Sequence, residues 1–193
     1  MTESVWVRIA RLRHRDPSLL APPVMRAWDR GRIACDGLFV NVAAKDAPED
    51  LVDLGRVVVV ETLRVQALQD IYMSQGTTKA ASILKSWHGY GLALDVIHKE
   101  FAWFTNRAAI TRWPLRKDRD RAAMIWFKAV AGVLTQGQEL AWGGLWKNFP
   151  DSPHFQSART PRSPAASSSV VYTNAGGGAA GRLAVWKTFG LDT

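Results

Sequence analysis

The sequence predicts an α+β domain: a small mixed sheet with flanking helices. Three observations carry this. "RVVVVET" (residues 56–62) is a β-branched run of strand length. "LALDVI" (92–97) is a second strand, with Leu92, Leu94 and Val96 pointing one way and Ala93, Asp95 and Ile97 the other. "DRDRAAMIWFKAVAGVLTQG" (118–137) carries apolar residues at helical spacing. These elements follow one another without the regular βαβ alternation of a parallel sheet.

Along the chain, "DPSLLAPPVMRAWDRG" (16–31) reads as a short helix on Leu20, Val24, Ala27 and Trp28, closed by Gly31. Residues 32–55 are mixed, and "APEDLVDLG" reads as a loop ending at Gly55. After the valine run, "TLRVQALQDIYMSQG" places Val65, Leu68, Ile71 and Tyr72 on one helical face, with Gly76 as C-cap. "TTKAASILKSWHGYG" is a loop with room for a helical turn. In the long helix Asp118 can serve as the cap, and Ala122, Ile125, Trp126, Ala129, Val130 and Val133 form the stripe. A tryptophan–glycine segment, "LAWGGLWKNFPDSPHFQ", completes a domain over 1–156. Residues 157–193 form a low-complexity tail, loosely ordered until "GRLAVWKTFGL", a short docking helix.

Composition narrows the function classes. A net charge of +8 favours an anionic partner: nucleic acid, anionic lipid or bacterial cell wall. Many of the basic residues lie in "RIARLRHR" and "RWPLRKDRDR", which also fit solvated faces. One cysteine, Cys35, excludes an intramolecular disulfide and every zinc pattern that needs two cysteines. The N-terminus lacks the apolar core of a secretory signal, and no run is long enough to span a membrane. The nine tryptophans fit core packing or an aromatic groove.

Four histidines are available for chemistry: His14, His88, His98 and His154. His14 sits in a basic run and reads as solvated, and His98, after a strand, as structural. His88 with Asp95 fits either a tight turn or two ligands of a metal. Gly89 and Gly91 free the backbone beside His88, and an ionised Asp95 in an apolar strand is costly unless paired or metal-bound. "PDSPHFQ" adds His154, with Asp151 three residues before it. Two histidines and one carboxylate are a catalytic zinc set. A nearby carboxylate that does not ligate, Asp151, can serve as general base.

Together these residues resemble the zinc D-alanyl-D-alanine carboxypeptidases of the VanY type and the related phage L-alanyl-D-glutamate endopeptidases. Ser86, His88, Gly91, Ala93 and Asp95 match the first signature; Asp151, His154 and Phe155 match the second. "WGGLW" and the Asp-x-Pro-His ending are most similar to the endopeptidase branch, and "ETLRVQALQDIYMSQG" is similar to the family's Glu-Thr-x-Arg helix. The resemblance runs from about Leu19 to Gln156. Gln156, Thr77 and "SILK" depart from the family pattern, Gln156 standing where many members have glutamate.

The resemblance implies a Hedgehog/D,D-peptidase-like fold with a single zinc site held by His88, Asp95 and His154. It implies Asp151 as acid–base residue, Arg64 at the substrate or oxyanion, and Gln69 and Ser86 near the substrate. The expected protein is a monomeric phage or prophage endolysin acting on peptidoglycan, without nucleic acid or stable membrane insertion. It would accumulate in the host cytoplasm and reach the wall through a separate pore-forming protein. The alternatives are a D-alanyl-D-alanine carboxypeptidase, a basic non-enzymatic protein binding cell wall or nucleic acid, and a purely structural zinc.

Overall fold

A computed structural model describes residues 4–5, 9, 12, 14–78, 80–148 and 150–193. The basic run "RIARLRHR" therefore lies partly outside the described residues. In chain order the elements are α1 (Pro22–Cys35), β1 (Phe39–Asn41), β2 (Leu51–Asp53), β3 (Val57–Glu61), α2 (Gln66–Ser74), β4 (Ala93–His98), α3 (Arg107–Arg112), α4 (Arg116–Leu134), β5 (Leu140–Trp142), β6 (His154–Ser157), α5 (Ala166–Asn174) and α6 (Gly178–Thr188). Short 3₁₀ turns stand between several of them, among them Ile83–Lys85 and Trp87–Tyr90.

A four-stranded sheet has the order β3-β4-β6-β5. Val96 N donates to Pro153 O at 3.0 Å and Ser157 N to Leu92 O at 2.9 Å, so β4 and β6 run antiparallel. β1 and β2 form a separate antiparallel ladder with Val40 opposite Val52. Expected and observed fold class agree on α+β.

The chain divides into two compact units, the first drawn from the described residues of Met1–Met25, Val59–Leu94 and Gln156–Thr193. There α2 buries the face its spacing predicts: Leu68, Ile71 and Tyr72 pack with Ile9, and Val65 flanks them. Gly76, at φ 66°, follows the helix in the left-handed conformation that ends it. The residues after 157 differ from expectation. Before the docking helix the chain forms α5, and α6 begins at Gly178. Leu191 and Val185 are buried, so this segment has apolar anchors that its Ser/Ala/Gly composition hides.

The second unit comprises Arg26–Val58 and Asp95–Phe155. Four expectations are corrected here. Gly31 lies inside α1 rather than closing it, because a Cβ there would meet Leu134 Cδ2 at 2.4 Å. It is a packing glycine, against α4. The loop expected to end at Gly55 contains β2, whose Leu51 is exposed and Val52 buried; three residues are too few for a readable alternation. Asp118 does not cap α4: Leu115 holds that position, and Asp118, in the first turn, accepts from Arg121 Nη1 at 2.9 Å. The stripe of α4 is also rotated, with Phe127, Ala131 and Leu134 buried beside Ala122, Trp126 and Val130, while Ile125, Ala129 and Val133 are half-buried.

Candidate metal centre and active site

His88 stands in the 3₁₀ turn Trp87–Tyr90, whose geometry explains its two glycines. A Cβ on Gly89 would lie 2.4 Å from Ile83 O, and Gly91, at φ 67°, would place one 2.4 Å from Leu19 O. Only glycine lets the chain turn here without moving its neighbours. The imidazole is buried, with Nδ1 3.4 Å from Thr62 O and 3.7 Å from Glu61 Oε1. A carbonyl can only accept, so these neighbours favour a proton on Nδ1.

Glu61 is the centre of a buried polar cluster beside His88. Arg64 Nε donates to Glu61 Oε1 at 2.5 Å, and Tyr72 Oη donates to Glu61 Oε2 at 2.9 Å. Arg64 Nη1 donates to Gln69 Oε1 at 3.1 Å, and Gln69 Nε2 donates to Ala80 O. The guanidinium also lies 4.9 Å from the Tyr72 ring centroid. Arg64 and Gln69, both singled out in the sequence, thus meet each other. Ser86 sits at the junction of the two 3₁₀ turns, where its carbonyl accepts from Gly89 N at 3.0 Å.

Glu61 itself was not assigned a role from the sequence. The available signal was an acid closing a run of four valines, three residues before an arginine. A buried carboxylate of that kind needs a cation.

In the second unit, β4 carries Asp95 and the start of β6 carries His154. His154 Nδ1 lies 3.2 Å from Asp95 Oδ1. The loop before His154 is fastened to the tryptophan–glycine segment. Asp151 N donates to Gly143 O at 3.0 Å, Trp142 Nε1 donates to Ser152 O at 2.7 Å, and the Trp146 ring lies 5.0 Å from the His154 ring. Gly143 must be glycine, since a Cβ there would come within 2.8 Å of Asp151 O and 3.2 Å of His154 Cβ. "WGGLW" is therefore the backing against which the Asp151–His154 loop is set. Asp151 is half-buried.

His88, Asp95 and His154 each offer one ligand atom, and these atoms lie within 4.8 Å of one another. Two imidazoles and a carboxylate suit zinc. The donor set fits the metal.

Residues 79–157 match the family model of the D-alanyl-D-alanine carboxypeptidases, peptidase M15_4. The matched segment includes His88, Asp95, Asp151 and His154, while Arg64 and Gln69 precede it. The chain is 35% identical over 107 residues to the peptidoglycan L-alanyl-D-glutamate endopeptidase CwlK of Bacillus subtilis (strain 168). That match covers 52% of this chain and 59% of the relative, so the chain spans about six tenths of that relative's length. The crystal structure of the Serratia marcescens L-Ala D-Glu endopeptidase ChiX is 20% identical, covering 78% of this chain and 84% of that one at a TM-score of 0.31. Among the described residues no helix is long and apolar enough to cross a membrane.

Proposed function

We propose that the protein is a zinc-dependent peptidoglycan peptidase that hydrolyses the L-alanyl-D-glutamate bond of stem peptides. The observation that carries this reading is the gathering of His88, Asp95 and His154 ligand atoms within 4.8 Å. Similarity to an L-alanyl-D-glutamate endopeptidase supports the choice of bond. His88, Asp95 and His154 would hold the zinc, which when bound supplies Lewis acidity to the scissile carbonyl and to water.

The remaining steps belong to the chain's own groups. Asp151 takes the proton from the attacking water and returns it to the leaving amine. Arg64, the cation of the buried cluster, stabilises negative charge developing on the carbonyl oxygen. Gln69 keeps the guanidinium in place through its hydrogen bond, and Ser86 lies beside the substrate. The net charge of +8 draws the enzyme to an anionic wall, an attraction that salt weakens. We assign the protein to the endolysin class, acting as a monomer on the wall after release through a separate pore-forming protein.

The description of the matched family favours one second reading, a D-alanyl-D-alanine carboxypeptidase. Digestion of purified peptidoglycan with and without a chelator, followed by mass analysis, separates the two. New D-glutamate amino termini with solubilised wall support the endopeptidase. Free D-alanine with an intact wall supports the carboxypeptidase and rejects the endolysin.

A further inference from the structure

We propose that α6 is a brace for the metal-ligating turn, with Trp186 as its positioning residue. The inference rests on the zinc reading above. It gives a task to the residues after 157, which lie beyond the peptidase domain match.

The turn Trp87–Tyr90 presents His88 from a backbone that must hold an unusual path, with Gly91 in the left-handed region at φ 67°. Its two flanking aromatic residues are both tied to the C-terminal segment. Trp186 Nε1 donates to Tyr90 O at 2.6 Å, and Trp87 Nε1 donates to Pro161 O at 2.7 Å. The Phe189 ring meets Trp87 edge-on at 5.5 Å, and the Tyr172 ring meets Tyr90 the same way at 5.5 Å. A Cβ added to Gly91 would lie 3.4 Å from Trp186 Cζ2, so the indole covers the turn where the backbone is least ordinary. Val185 and Leu191, buried on either side of Trp186, anchor the helix that carries it.

The brace acts on backbone, and through it on His88. A carbonyl fixed two residues from a ligand limits how the imidazole can drift; groups that hydrogen-bond a ligand directly are worth about 10–100-fold in metal affinity, and a brace through the backbone belongs at the low end of that range. A low-complexity tail would supply none of this.

The test is zinc affinity by chelator competition in the full chain, comparing wild type, Trp186→Phe and Trp126→Phe. Phenylalanine keeps an aromatic ring at position 186 and removes the donor to Tyr90 O. Trp126 is the control, since its Nε1 makes a comparable buried bond to Asp53 O at 3.2 Å, remote in sequence from the His88 turn. We expect Trp186→Phe to bind zinc about ten-fold more weakly and Trp126→Phe to bind as wild type. Wild-type affinity in Trp186→Phe, or equal weakening in both variants, overturns the brace while leaving the zinc reading intact. A wild-type chain that binds no zinc overturns both. Should Trp186→Phe fail to fold, Trp87→Phe, which removes the donor to Pro161 O, is read by the same criteria.

Discussion

His88 and His98 are equally hidden, each 1% exposed, yet they sit in opposite environments. His98 is walled by rings: Phe101 stacks on it at 4.5 Å, while Phe104 and Trp126 meet it at 5.9 and 5.2 Å. Its Nδ1 accepts from Glu100 N and Phe101 N, both at 3.1 Å. Burial holds its pKa down to about 4, so the ring stays neutral and serves as a polar core residue. Beside His88 stand instead the Glu61 carboxylate and the Thr62 carbonyl. A cation can be accommodated there at far lower cost than in an aromatic core. Burial alone does not separate the two histidines; the groups around them do.

The comparison breaks most visibly at the ligands. His154→Ala should lose most of its zinc and its lytic activity, measured by metal analysis and wall turbidity; full zinc occupancy would remove His154 from the site. Asp151→Ala should keep zinc and fold normally while turnover falls about 10²–10⁴-fold, the range of a positioned acid–base group. Equal loss of metal and turnover would make Asp151 a ligand.

Arg64→Ala tests the buried cluster. Glu61 would lose its cation, and stranding one partner of a buried pair costs roughly 3–5 kcal/mol, so denaturant unfolding should show that loss alongside weakened catalysis. Normal activity in folded protein would take Arg64 out of the mechanism.

His98 gives the other side of the comparison. Its folded pKa of about 4 lies below the ordinary 6.5, so between these values the unfolded chain binds the extra proton. Its contribution is fully present above pH 6.5 and is lost as pH falls towards 4, by about 3 kcal/mol in total. His98→Asn, with no group titrating there, should remove that part of the acid sensitivity. At Gly143→Ala the added methyl presses on the Asp151–His154 loop and should cost about 1–3 kcal/mol with partial loss of activity.

Much of this was legible beforehand. Glycine beside His88, the alternation that isolates Asp95, and the proline-bounded His154 are local signals, and the structure brings their ligand atoms together. What escaped depends on partners distant in sequence. Gly31 reads as a stop until Leu134 is placed against it, and Glu61 reads as the end of a strand until Arg64 and Tyr72 converge on it. The residues after 157 look unstructured by composition because few anchors do the packing, Val185, Trp186 and Leu191 among them. The stripe of α4 was misplaced for a related reason: its helical period was right, but which side met the core depended on where the rest of the unit lay.

The most direct test of the account is to measure zinc content and wall hydrolysis together in wild type, His88→Ala and His98→Asn. We predict about one zinc per chain and full activity in wild type and His98→Asn near neutral pH, with both lost in His88→Ala. Retention of zinc and hydrolysis by His88→Ala, or loss of zinc from folded His98→Asn, would contradict it.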